Sequence, residues 1–288
     1  MLKLVFGALM ISFSAVFVKL VDVGPTVSAF YRMLLGGGAL ALVVLYRRES
    51  FWFGKRAMIA ASVAAIFFTL DLVFWHRSIL YVGPGLSTLL ANFQVFILAL
   101  AGWLLFSEHM SKQAMLAIPL AMIGLGLLVL PEWENLGADY HLGVWFGLLT
   151  AVCYAGYLIT LRKTHLSDAA PSHYSNMAIL SLICAAMLAL VLVAEGESFL
   201  LPGWTDFSWL LTYGIVAQLI GWVLISKAII EVRATQVGLI LLLQPTFAFV
   251  WDVLFFSRQL TVYEIAGAVL ALVAIYLGGI RRTEAIAN

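Results

Sequence analysis

The chain is predicted to be an all-α integral membrane protein with ten transmembrane helices, arranged as two inverted five-helix repeats with both termini cytoplasmic. Three observations lead to that fold class. Of its 288 residues 64% are hydrophobic and 11% charged, with a mean hydropathy of +1.05, and no water-soluble fold hides so much apolar surface. The apolar sequence is punctuated into segments close to the roughly 20 residues that cross hydrocarbon. Finally, Leu89 to Ser111 returns 150 positions later as Leu239 to Thr261, with Gln94 on Gln244, Leu104 on Leu254, Phe106 on Phe256 and Ser107 on Ser257. The register continues without a gap through Leu120 on Leu270 and Leu127 on Leu277. An internal duplication of this kind in a membrane protein is the mark of a transporter.

The ten spans are Lys3 to Val21, Thr26 to Tyr46, Ala57 to Leu80, Leu86 to Phe106, Gln113 to Leu130, Gly143 to Leu161, Tyr174 to Ala194, Trp209 to Ile230, Gln236 to Phe256 and Val262 to Ile280. The first is too long for a signal-peptide core and has no small-residue cleavage site, so it reads as a membrane helix. Five spans fall in each half, 1–131 and 142–281. Because five is odd, the halves enter the membrane from opposite sides.

Charge sets the orientation. With the amino terminus inside, the cytoplasmic segments hold Lys3, Arg47, Arg48, Lys55, Arg56, Lys112, Arg162, Lys163, Lys227, Arg233, Arg281 and Arg282, while the outer loops collect Asp22, Glu132, Glu134, Asp139, Glu195, Glu197 and Asp206. That is the positive-inside pattern, which puts both termini in the cytoplasm; the expected location is the cell inner (cytoplasmic) membrane. A net charge of +1 gives no sign of a nucleic-acid partner. Cys153 and Cys184 lie in apolar runs and read as small core residues. No spacing of His, Cys, Asp or Glu indicates a metal or another cofactor.

Polar groups inside hydrocarbon are costly and mark function. Asp71 sits about 22 Å along the third span, counted from Arg56 at ~1.5 Å per residue. It shares a helical face with Trp75 and Ser78, so a carboxylate is followed by an aromatic wall suited to a cationic group. Arg32 on the second span lies at a compatible depth, and an Asp71–Arg32 ion pair is the competing structural reading. Gln94 and Gln244 each stand about 13 Å from the start of their own span, which places both at the midplane. Pro245 deprives the ninth helix of a hydrogen bond at that depth. Thr150, Tyr154 and Tyr157 follow helical spacing on the sixth span, as do Gln218 and Trp222 on the eighth, and Ser14 on the first can join them. Aromatics at helical spacing commonly pack the core, and it is as a set that these faces are expected to enclose a substrate. Gly36, Gly37 and Gly38 read as a close helix contact.

Ten short helices in two inverted halves, Arg32 in the second helix, and the ending Leu104-Leu105-Phe106-Ser107-Glu108 before a fifth helix with Gly124 and Gly126 resemble the EamA type of the drug/metabolite transporter superfamily. The resemblance implies a secondary carrier that works by alternating access without ATP. It moves amino acids or related metabolites or, in the alternative, exports lipophilic or quaternary cations in exchange for protons. Its partners are then a small-molecule substrate, the bilayer and protons as coupling ion, and it acts as a monomer or homodimer. The family repeats an acid at the end of the ninth helix, where this chain has Arg258, so Glu108 is expected only to shape its own loop. A membrane-embedded lipid-acting enzyme is the rival from another class. It requires acids or histidines clustered at one interface, and here the outer acids are spread over three loops.

Overall fold

A computed structural model describes residues 1–108, 112–127, 138–166, 171–256 and 261–279. Among these, all regular structure is helical. The elements are α1 (Leu2–Ser12), α2 (Ser14–Leu20), α3 (Pro25–Tyr46), α4 (Lys55–Ala91), α5 (Gln94–Phe106), α6 (Lys112–Leu127), α7 (Ala138–His165), α8 (His173–Glu195) and α9 (Trp204–Tyr213). A π-helix (Gly214–Trp222), α10 (Val223–Ile229), α11 (Ala234–Leu241), α12 (Leu243–Phe256) and α13 (Val262–Gly279) follow. Seven helical stretches are long and apolar enough to cross a bilayer, and Gln94–Phe106, Met115–Gly124 and Ile265–Ala274 are shorter apolar helices. Large apolar side chains such as Leu42, Leu190 and Val193 stand fully outward from the bundle, the surface expected of a protein dissolved in lipid. The expected positions of Glu132, Trp133, Glu134, Ser257, Arg258, Arg281 and Arg282 lie outside the described residues.

The sequence suggests a break between the third and fourth spans, yet helical bonding is continuous through α4. The run is nevertheless not a straight rod. The Trp75 indole N–H donates to Thr88 Oγ1 at 3.3 Å, whereas thirteen residues along a straight helix span about 20 Å. The chain therefore folds back on itself between Trp75 and Thr88.

Three other spans are interrupted at mid-depth. Between α1 and α2, Ser12 Oγ donates to the Leu9 carbonyl at 2.6 Å, and this back-bonding competes with the helix ladder. Between α4 and α5, Asn92 Nδ2 takes the Thr88 carbonyl at 2.6 Å and the following amides bond three residues back. Between α11 and α12 the gap is Leu242. Pro245 supplies no N–H, and its ring excludes the carbonyl four residues earlier, that of Leu241. The last two gaps fall at matched positions of the 150-residue register.

The packing partners exchange under a two-fold relation. Helix α3 packs on α8, α5 on α11 and α6 on α13, while the α4–α7 contact is answered by α1 on the π-helix and α10. Likewise α3 on the π-helix corresponds to α4 on α8. Small residues set the closest approaches. A Cβ on Gly36 would come within 2.6 Å of Gln218 Cβ and 2.8 Å of the Gly214 carbonyl, and one on Gly37 within 3.0 Å of Ser181 Cβ, whereas Gly38 faces open space.

The two ends of the bundle differ in charge. One end ties Lys3 to Glu231 at 2.7 Å and Glu49 to Ser172, and carries Arg47, Lys55, Lys163 and Arg233. Hydrogen bonds from Ser172 and from Arg47 hold the Glu49 carboxyl below the ordinary range, although its burial acts in the opposite sense and is the largest single effect. The other end joins the Asp22 amide to Asp206 at 2.9 Å and Arg77 to Glu195 at 2.6 Å. We refer to these as the basic and acidic ends.

Because the Gly36 Cβ position is blocked by backbone, Gly36→Val is expected to cost about 1–3 kcal/mol through overpacking, read as a lower melting temperature in detergent. Gly38→Val, made in open space, is expected to melt as the parent does.

Candidate functional site

Every interruption just described borders one hollow. It encloses about 640 Å³ of empty space, its open mouth included, and its wall includes Ile11, Ser12 and Ser14 beside the α1–α2 gap, Ala91 and Asn92 at the α4–α5 gap, and Gln244 and Ala248 past the α11–α12 gap. Arg32, Phe68, Asp71, Leu72, Trp75, Thr88, Thr150, Tyr154 and Trp222 complete it. Backbone in hydrocarbon departs from the helix only where it is buried in protein or lines a cavity. The hollow thus accounts for the gaps, and the gaps help to open it.

Of the residues singled out from sequence, Ser14, Arg32, Asp71, Trp75, Tyr154, Trp222 and Gln244 meet on this wall. Tyr154 and Gln244 are joined by a hydroxyl–amide pair, with Gln244 Nε2 donating to the Tyr154 oxygen at 3.1 Å. Trp222 stands edge-on to Tyr154 at 6.1 Å and to Phe68 at 5.1 Å between ring centroids. Among the described residues Ser14 Oγ and Trp222 Nε1 are buried without a hydrogen-bond partner. A polar cargo is the natural acceptor or donor for such groups.

The charges are arranged differently from the structural ion pair considered above. Arg32 and Asp71 are 4% and 8% exposed and share the cavity, but they do not form an ion pair within 4.0 Å. Arg32 Nη1 donates instead to the Tyr213 hydroxyl at 3.1 Å. Its guanidinium lies 5.0 Å from the Tyr213 ring centre and 5.7 Å from that of Phe68, while its Nε has no partner. Among the described residues nothing donates a hydrogen bond to the Asp71 carboxylate. One cation and one anion therefore face the same space, each able to bind an opposite charge.

Three expected residues do not reach the wall. Gln94 is fully buried and its amide is unpartnered. The gap before it takes two residues, Asn92 and Phe93, against the single Leu242 before α12. Gln244 reaches the wall and Gln94 does not, and in the first half Asn92 takes the place on the wall. Gln218 turns away toward α3 and α8, where its Nε2 donates to Ser181 Oγ at 2.7 Å. There it packs over Gly36, whose missing Cβ leaves the room. Tyr157 lies one turn below the wall and stacks on Phe68 at 4.3 Å, forming a layer beneath the cavity floor. Phe68, Thr88 and Asn92 escaped the sequence reading. Phe68 sits three positions before Asp71 and shares its face, a signal that was available. Thr88 is brought in by the fold-back of α4, which the sequence did not reveal as a contact.

Glu108 also departs from expectation. Rather than shaping only its own loop, it pairs with Arg162 Nη2 at 2.7 Å and accepts from the Ala234 amide at 2.8 Å, the N-terminus of α11.

The comparisons fit this architecture. The model of the EamA-like transporter family matches residues 1–130 and again 141–279, and the chain belongs to that family. It is a multi-pass membrane transporter with a small-molecule substrate. Among its relatives is the pseudopaline exporter CntI of Pseudomonas aeruginosa, 24% identical over 246 residues, covering 85% of this chain and 82% of the relative. Another is the uncharacterized transporter YvbV of Bacillus subtilis, 24% identical over 255 residues, covering 88% and 82%. A solved crystal structure superposes with a TM-score of 0.82 at 16% identity, over 96% of this chain and 94% of that one, a likeness of fold.

Removing the hydroxyl that Gln244 holds, in Tyr154→Phe, is expected to lower unfolding stability by about 1 kcal/mol. Chemical denaturation in detergent measures it, and no change would mean that the pair contributes nothing.

Proposed function

We propose that the protein is a secondary carrier for small zwitterionic metabolites, amino acids foremost, working by alternating access in the cytoplasmic membrane. The observation that carries the reading is the pair of opposite charges, Arg32 and Asp71, on one cavity wall and not spent on each other. A zwitterion satisfies both at once, its carboxylate toward Arg32 and its ammonium toward Asp71. Trp75, Tyr154, Trp222 and Phe68 enclose the remainder, and Ser14 and Gln244 orient polar atoms. Residues 1–131 and 142–281 act as the two inverted units whose relative rocking exposes the cavity to each side in turn. The basic end lies in the cytoplasm by the positive-inside rule.

The family match and the exporter among its relatives support transport over any enzymatic role. The cavity also supports a second reading, a proton-coupled exporter of lipophilic or quaternary cations. In it the Asp71 carboxylate and the ring of aromatics recognise the cation, and Asp71 carries the exchanged proton. Arg32 in the same cavity favours the zwitterion, because a guanidinium beside a lone cation is repulsive.

A thermal-shift screen of amino acids, amines and quaternary ammonium ions on purified protein discriminates, since a ligand that prefers the folded state raises its melting point. An amino acid is expected to stabilise the parent, and Asp71→Asn to weaken it by roughly 10–100-fold, the loss of about 1.5–3 kcal/mol from one charged hydrogen bond. Arg32→Gln is expected to weaken the amino acid but not a quaternary amine. Stabilisation by quaternary amines alone would replace the first reading with the second, and an unchanged response in Asp71→Asn would remove both.

A further inference from the structure

We infer that Phe106 with Arg162, and Phe256 with Lys19, are the two latches of the transport cycle, one at each end of the bundle and related by the internal duplication. The inference rests on the alternating-access reading above and adds the residues that hold each end shut. Phe106 and Phe256 occupy the same position of the 150-residue register. The structure places a cation over each ring: the Arg162 guanidinium lies 4.2 Å from the centre of Phe106, and the Lys19 ammonium 4.6 Å from that of Phe256. Arg162 comes from the end of α7 and Lys19 from the end of α2, helices that correspond when the halves are exchanged. The first contact closes α5 on α7 at the basic end, and the second closes α12 on α2 at the acidic end. A cation over an aromatic face is a directional tie, strongest where it is desolvated; Arg162 is buried, whereas Lys19 is exposed.

The two latches are not equally strong. At the basic end Glu108 adds an ion pair to Arg162 at 2.7 Å, with both side chains 11% exposed, and caps α11 through the Ala234 amide. Among the described residues Arg162 Nε and Nη1 have no hydrogen-bond partner, so removing Glu108 would strand a buried charge. At the acidic end Lys19 is exposed, so its contact with Phe256 is the more solvated of the two. The cavity is skewed in the same sense. It extends from mid-depth toward the acidic end through Trp75 and Thr88. The positions matching Ala91 and Asn92, namely Leu241 and Leu242, are fully buried, and a Cβ on Gly7 would come within 2.7 Å of Ile225 and 2.9 Å of the Gly221 carbonyl. The basic end is the one held firmly closed.

The test reads conformation rather than cargo. With Cys153 and Cys184 replaced by alanine, spin labels are placed at Leu105→Cys with Lys163→Cys, and separately at Leu20→Cys with Phe255→Cys, and the distance distributions are measured in nanodiscs. Phe106→Leu and, independently, Glu108→Gln are expected to shift the 105–163 distribution to longer distances and leave 20–255 unchanged or shortened. Phe256→Leu is expected to lengthen 20–255 alone. If each folded, monodisperse variant keeps the parental distribution at its own end, or all variants move the same end, the latches are wrong even where a ligand still binds. If the shifts occur and no amino acid stabilises the protein, the latches stand and the cargo assignment falls.

Discussion

Hydrocarbon offers no hydrogen bonds, so any backbone group released from a helix must find its partner within the protein. The rest of this structure follows from where that rule is relaxed. Helices give way at Phe13, at Asn92 and Phe93, at Leu242 and along the π-helix from Gly214 to Trp222, and all four places lie at mid-depth around one hollow. Each has a local cause in the chain: a serine bonding back to its own helix, an asparagine doing the same, a proline, and a glycine at each end of the widened turn's first eight residues. Scattered through a lipid-facing surface, these would be defects. Gathered on one interior cavity, they shape it.

Keeping charge in that interior is expensive, and the structure spreads the cost over aromatic faces. The buried Arg32 rests against Tyr213 and Phe68 and the buried Arg162 against Phe106. Rings provide partial neutralisation without consuming a carboxylate. That leaves Asp71 uncommitted at the cavity wall. Had Arg32 and Asp71 closed on each other, the site would contain a satisfied ion pair and little to recognise a charged molecule.

The duplication supplies two similar halves, and function depends on their differences. Asn92 against Leu242, Glu108 against Arg258, and Asp71 against Gly221 at the equivalent place in the eighth span all break the likeness. The polar member falls on the first half in the cavity pairs, which is why the hollow lies to one side of the two-fold relation rather than on it.

The sequence by itself determined the solvent, the class and the doubling. Hydrophobic runs of membrane length and a register of 150 residues are properties of the one-dimensional chain, and they suffice to identify a membrane transporter of this family. The interior polar residues were legible for the same reason: an Asp, an Arg or a Gln within an apolar run stands out whatever the packing. Rotation about each helix axis was not legible. Gln94 and Gln218 stood at positions that suited the wall, yet their side chains turn away from it, because the rotation of each helix is set by packing against its neighbours and leaves no periodic trace. Nor could spacing show that Thr88 meets Trp75, or that Glu108 reaches Arg162 and the start of α11. Those contacts join parts of the chain whose separation in space is set by packing, so only the tertiary structure decided them.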